Sequence, residues 1–266
     1  VIPMLPEKLA NKLCSLRPLE DKLCFSIVFN INKNGEVLSN WIGKTIVKSK
    51  KRFTYKQAQG VLNKKEGDFY NELEILNTTA KALRSNRIKN GSVIIEKKEV
   101  LIKFDNEKPV KPYFKQPIET NKLIEEFMLL ANQFVCKYFN KELGGVYRVH
   151  DYPDFEKLKT ITTFLKTINI NFNFNKKNLS QSINELLKIV TKDNHKYLIN
   201  QLILQAMAKA EYSTKNIGHF GLGFQKYSHF TSPIRRYPDI LVHRILDNFL
   251  SQEKTKNSNL EALCRQ

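Results

Sequence analysis

The densest run of chemically capable side chains lies between His219 and Asp239. His219-Phe220-Gly221-Leu222-Gly223-Phe224 precedes His229-Phe230-Thr231-Ser232-Pro233-Ile234-Arg235-Arg236-Tyr237-Pro238-Asp239. Ser232 ahead of Pro233 has the pattern of a helix N-cap and a first-turn proline, whose missing N–H costs nothing there. Unpaired backbone donors at a helix start favour an anion, and Arg235 and Arg236 fall within a turn of them. A guanidinium fork fits a phosphate better than an ammonium does. These residues describe a corner that grips phosphate. Gly221 and Gly223 suit either a phosphate cradle or a turn. His229 with Ser232 could be a base and nucleophile, but Ser232 is better used as a cap and no carboxylate partner is indicated. His150 and Asp151 read as structural rather than metal-binding.

Charge points the same way. Across 266 residues, Lys+Arg 44 against Asp+Glu 26 leaves +18, an excess that predicts a polyanionic partner, nucleic acid ahead of a membrane surface. Hydrophobic residues make up 41%, enough for a globular core, and no apolar run is long enough to span a bilayer. Val1-Ile2-Pro3-Met4 lacks the basic-then-apolar pattern of a secretory signal, and residue 1 is not expected to be the natural start. Cys14, Cys24, Cys136 and Cys264 show no zinc-ligand spacing, so free thiols in a reducing, cytoplasmic setting are expected.

The elements that must position the corner follow from periodicity. Residues 1–24 read as an irregular lead-in. Phe25, Ile27, Phe29 and Ile31 alternate as a half-buried strand, Asn34-Gly35 turns the chain, and Glu36–Val47 returns. Basic Lys48–Arg52 leads into a helix over about 54–63. A second helix over Asp68–Ser85 sets Phe69, Leu73, Leu76, Ala80 and Leu83 on one face. Ser92–Ile95 and Val100–Phe104 suggest a hairpin around Lys97-Lys98, and Lys108–Pro117, with three prolines, a connector. Thr120 caps the longest helix, Asn121–Phe139, with Glu125 and Glu126 in its first turn, where the dipole favours carboxylates. A strand over Tyr147–His150, a helix over about 154–167 and an Asn-rich surface excursion over Ile168–Asn178 come next. Helices near Leu179–Val190, His195–Ala210 and Asp239–Leu250 follow, the last turning Val242, Leu246, Phe249 and Leu250 inward. Ser251–Ser258 reads as a linker, and Asn257–Gln266 as the start of a further helix. No internal repeat or clear second domain is seen.

His229 through Arg244 (HFTSPIRRYPDILVHR) resembles the signature of the ribonuclease II/ribonuclease R (RNB) family of processive 3′-to-5′ exoribonucleases, nearer its ribonuclease R branch. The similarity extends, in family order, through His219–Gly223, Val146–Asp151 (VYRVHD), Glu125–Asn132 (EEFMLLAN) and Ile2–Glu7 (IPMLPE), and so covers essentially the whole chain.

The resemblance implies an α+β fold, mixed or antiparallel sheet flanked by helices around an RNA channel. It implies hydrolysis of single-stranded RNA to nucleoside 5′-monophosphates, with Mg²⁺ held by an aspartate cluster. Two such ions lie about 4 Å apart and need several carboxylates around them. No such cluster stands in this sequence, where Asp151/Asp154 are the closest aspartates, and in the family it lies N-terminal to the segment matching Ile2–Glu7. Residues 1–250 are therefore expected to be a partial catalytic domain with no metal ligands of its own, inactive alone. A catalytically inactive RNA-binding relative is the alternative. The family arginine on the scissile phosphate corresponds to Arg235, with Arg236 an alternative holder of that role. Tyr55 corresponds to a tyrosine at the RNA 3′ end, although the residue pattern alone leaves it half-buried at a solvated turn. Glu125 corresponds to a glutamate positioning the terminal nucleotide, and His229, Ser232 and Tyr237 are expected on the RNA-binding side. The expected partner is single-stranded RNA, with no membrane and no obligate protein partner.

Overall fold

The computed structural model describes residues 4–95, 99–105, 108–115, 118–140, 142–192, 194–252 and 259–265. Helices alternate with three separate two-stranded antiparallel sheets, an α+β arrangement.

The lead-in holds a short π-helical segment, Lys8–Leu13. Strand β1 (Asp21–Ile31) pairs antiparallel with β2 (Val37–Lys48), in register from Asp21↔Lys48 to Asn30↔Ser39. The turn is a five-residue loop rather than a tight Asn-Gly pair. Asn32 Oδ1 accepts the N–H groups of Asn34 and Glu36, both at 3.0 Å. Gly35 sits at φ +79 against the backbone of Ala82 and Leu83, where a Cβ would be strained as well as crowded. Phe25, Ile27 and Phe29 face the core, as their alternation predicts.

Helix α1 (Tyr55–Lys64) starts at a capping box in which Thr54 and Gln57 satisfy each other's backbone donors. Helix α2 (Tyr70–Lys89) starts two residues later than expected. Phe69 precedes it at φ 60, and both Phe69 and Leu76 are exposed, so only Ala80 of the expected face is fully buried. The next hairpin differs from expectation. Glu99–Asp105 (β3) pairs with Lys108–Lys115 (β4), so the proline-rich stretch is a strand and Ser92–Ile95 is not. Pro112 stands opposite Ile102 in the regular register, and a register shift after Lys103 brings Pro109 opposite Phe104. A two-stranded ribbon also has an outer edge that demands no donors. Lys97, Lys98 and Pro117 lie outside the described residues.

Helix α3 runs Glu119–Phe134 and tightens into a 3₁₀ turn at Val135–Tyr138. Thr120 is not its cap. It lies inside the first turn, buried, donating its hydroxyl to Tyr55 O at 3.0 Å and so tying α3 to α1. Strand β5 (Tyr147–Val149) pairs with β6 (Glu211–Ser213). Between them come α4 (Phe155–Thr167), capped by Asp154, α5 (Leu179–Ile189) and α6 (Lys196–Ala206). Helix α7 (Tyr237–Leu250) buries Val242 and Leu246, whereas Phe249 and Leu250 are exposed. Of the expected linker only 251 and 252 are described. Past it, α8 (Leu260–Arg265) buries Leu260.

Apolar side chains gather in two clusters. One lies under β1 and β2 between α3 and α7, with Val135, Phe230, Val242 and Leu246 at its centre. The other is formed by α4, α5 and α6 and takes in Phe172, so the Asn-rich segment is anchored rather than a free surface excursion. Phe220 packs on the second cluster and Phe230 on the first, so the 219–230 segment ties the two together. Among the described residues no helix is long and apolar enough to cross a membrane.

Candidate nucleic-acid interface

The segment from Gly218 to Asp239 is held by buried polar groups from other elements. His150 N donates to Gly218 O, and His150 Nδ1 accepts Gly221 N at 3.0 Å. His219 Nδ1 accepts Leu222 N at 3.2 Å. Val93 N donates to Gly221 O, and a Cβ on Gly223, at φ +69, would come within 2.7 Å of Ser92 N. Gly221 and Gly223 therefore serve a tight turn packed on the end of α2, and the Gly221 amide is already used by His150. The Gly223 amide is taken by Phe220 O at 3.0 Å, so neither glycine N–H is open to a phosphate.

Asn132, on α3, clamps the next stretch. Its Oδ1 accepts Phe230 N at 2.9 Å and Thr231 N at 3.2 Å, while its Nδ2 donates to Tyr227 Oη at 3.1 Å. Asn132→Ala should cost on the order of 1–3 kcal/mol for each backbone N–H left without a partner, measured by denaturant unfolding. The neighbouring Glu126 is buried in a two-pronged pair with Arg87, Nη2 to Oε1 at 2.6 Å and Nε to Oε2 at 3.1 Å. Glu125 is exposed. Adjacent glutamates thus divide into a structural one and a free one.

Ser232 does not cap α7. Ser232–Arg236 form a separate turn, with Arg235 N and Arg236 N both donating to Ser232 O, and the helix starts at Tyr237 with Pro238 in its first turn. Asp239 holds this turn. Its carboxylate is fully buried, and its Oδ1 accepts Ser232 N at 2.7 Å and Arg236 Nη2 at 2.8 Å. A charge out of water needs such partners, so the two groups specify the turn's shape. Arg236 is thereby committed inside the protein. Arg235 is exposed, its side chain hydrogen-bonding only Ser232 Oγ, at 3.4 Å, among the described residues, so its fork is available to an anion.

Tyr212 joins the site without a prior sequence signal, and Arg148 joins it from the Val146–Asp151 segment, where the sequence assigns it no role. The Arg148 guanidinium lies 4.5 Å over the Tyr212 ring, and Tyr212 Oη is 2.8 Å from His229 Nδ1. Burial, reinforced by Arg236, Arg148, His219 and Arg235, holds His229 down to about 3; burial and His150 hold His219 at about 4. Both stay neutral near pH 7, so the positive charge is carried by arginines.

A histidine with a lowered native pKa binds its proton more readily when unfolded. Its contribution is present above the unfolded value of about 6.5 and is lost as pH falls toward the native one. The melting temperature is therefore expected to fall as pH drops from 6.5 toward 4, and His219→Gln and His229→Gln should each flatten that slope. RNA binding should show no gain on acidification from pH 8 to 5, which a fluorescence anisotropy series checks.

The structure brings Arg235, Arg236, His229, Ser232 and Tyr237 into one neighbourhood. Tyr55, exposed at the start of α1, and Glu125 share no hydrogen bond or ion pair with that turn among the described residues. Tyr55 meets α3 at Thr120 and the turn meets it at Asn132, about 18 Å apart along the helix axis. His229 Nδ1 faces Tyr212, with no hydrogen bond to Ser232 among the described residues, so the pair is no base and nucleophile. Among the described residues no three His, Cys, Asp or Glu side chains converge on a possible metal site, and both His150 and His219 spend a ring nitrogen on backbone N–H groups. These residues do not fit Mg²⁺.

Arg235 thus stands exposed on a clamped turn in an α+β chain of net charge +18. The RNB domain model matches residues 1–252. Ribonuclease R of Thermotoga maritima is 37% identical in an alignment of 264 positions that covers 95% of this chain and 37% of that protein. Ribonuclease R of Mycoplasmopsis pulmonis is 40% identical, over 92% of this chain and 35% of its own length. The structure of Mycoplasma genitalium RNase R in complex with ribose methylated single-stranded RNA superposes with a TM-score of 0.92 at 31% identity, covering 99% of this chain and 44% of that one. The chain belongs to the RNB-domain family, and it spans about a third of the length of these curated relatives.

Proposed function

We propose that this chain supplies the RNA-gripping side of a 3′-to-5′ exoribonuclease that hydrolyses single-stranded RNA to nucleoside 5′-monophosphates. The observation that carries this reading is the Ser232–Arg236 turn: Asp239 and Asn132 fix its backbone, Arg236 is consumed in doing so, and Arg235 is left presented. Arg235 is assigned to the phosphate at the scissile position, where a preorganised guanidinium meets charge that grows during the reaction. His229, neutral and fixed through Tyr212, lines the strand with Ser232 and Tyr237. Tyr55 is assigned to base stacking and Glu125 to positioning the terminal nucleotide. The chemistry Mg²⁺ would supply is assigned to carboxylates other than the described ones, since no three His, Cys, Asp or Glu side chains converge among the described residues. A cytoplasmic setting fits this reading, with Cys14, Cys24, Cys136 and Cys264 all free thiols.

The test uses single-stranded RNA labelled at its 5′ end. A protein of the relatives' full length should shorten it from the 3′ end and release 5′-monophosphates, whereas the 266-residue chain with Mg²⁺ should bind it intact. Mononucleotide release by the short chain would overturn the assignment of the metal ligands. Binding without release by the long protein would favour the inactive relative.

A further inference from the structure

The loop that ends in the arginine turn also floors a second cleft, of about 670 Å³, on the side of α5 and the end of α2. Its wall carries Lys89, Lys176 and Lys177, and none of the described residues lining it is an Asp or Glu. None of the three lysines meets a carboxylate within ion-pair distance among the described residues, and the Lys176 ammonium lies 5.2 Å over the Phe155 ring. Helix α5 starts in the same wall with no side-chain cap on its first turn, so its positive end adds to the lysines.

Aromatic surface lies beside this charge. Tyr152 is 62% exposed, its ring 5.1 Å from Phe220 and tilted by 48°. Phe220 is held by packing on the helical cluster and by its N–H to His150 O at 2.8 Å. One ring is fixed and the other is held only at its base, which leaves a face on which a flat group can settle. Bases stack on such platforms irrespective of sequence while lysines neutralise the phosphates. An acidic peptide would use the lysines but not the stacking face, so the combination favours nucleic acid.

We infer that this cleft is a second contact site for single-stranded RNA, with a base against Tyr152 and Phe220 and its flanking phosphates against Lys176, Lys177 and Lys89. The inference rests on the RNA reading of the arginine turn. The two sites share one continuous segment, Gly218 to Arg236, with the stacked Phe224–Tyr227 pair between them.

Photocrosslinking of the 266-residue chain to single-stranded RNA carrying 4-thiouridine, mapped by mass spectrometry, tests it. Crosslinks are expected in peptides containing Tyr152 or Phe220. The exposed double variant Lys176→Glu/Lys177→Glu should remove them, weaken binding about tenfold and lower the log–log salt slope by about 1. Tyr152→Ala should weaken binding by a similar factor without changing that slope. RNA that binds with a salt slope sensitive to Arg235→Ala, yet gives no crosslink at Tyr152 or Phe220, overturns the second site and leaves the first. No RNA binding at all overturns both.

Discussion

In a protein carrying the complete domain, Arg235→Ala is expected to lower turnover by about one to two orders of magnitude while RNA affinity changes only a few-fold. A charge-assisted hydrogen bond is worth about 1.5–3 kcal/mol, which is that range of rate if the contact strengthens as charge develops. Affinity is spread over many phosphate contacts in a chain of net charge +18, so one arginine removes little of it. Arg235→Lys should recover only part of the rate, because a point charge lacks the two-pronged geometry. Single-turnover kinetics separate chemistry from binding. An unchanged rate constant for Arg235→Ala would remove Arg235 from the reacting phosphate.

The second large effect is on stability. Asp239→Ala strips Arg236 of its carboxylate and Ser232 N–H of its acceptor, in a site where Asp239 is fully buried. Breaking a buried pair from one side costs about 3–5 kcal/mol, because the charge left behind has no compensation. Denaturant unfolding should show that loss. Asp239→Asn, which keeps an acceptor for Ser232 N–H, should lose less. Arg236→Ala should behave as a stability variant too, in contrast to Arg235→Ala, which should unfold like the parent. Identical unfolding for Asp239→Ala, Arg236→Ala and Arg235→Ala would contradict the division of labour between the two arginines.

That division shows where sequence reasoning stops. Ser232-Pro233 and Pro238 both carry helix-start patterns, and local rules do not say that the first closes a separate turn. The choice is made by the Asp239 carboxylate, which takes Ser232 N–H from within the first turn of α7. The tyrosine and arginine behind His229 come from β6 and β5, far apart in the chain until the two strands pair. Glu126 and Arg87 lie 39 positions apart, and nothing local distinguishes Glu126 from Glu125. Elements governed by local pattern are another matter. The alternation of Phe25, Ile27 and Phe29, the Asp154 cap of α4 and the inward Val242 and Leu246 of α7 stand where periodicity and capping put them. Strand β4 was hidden because its prolines mark it as a connector, yet a two-stranded ribbon tolerates them, Pro109 beside the register shift and Pro112 in the regular ladder.

If Arg235 and the cations around it hold an RNA backbone, binding as a function of salt shows it most directly. Anisotropy titrations of the 266-residue chain with labelled single-stranded RNA, from about 50 to 200 mM salt, should give a linear fall of log affinity with log salt, at about 0.7 per phosphate neutralised. Arg235→Ala should lower that slope by about one phosphate's worth. A flat salt response, or a slope that Arg235→Ala leaves unchanged, would contradict the account.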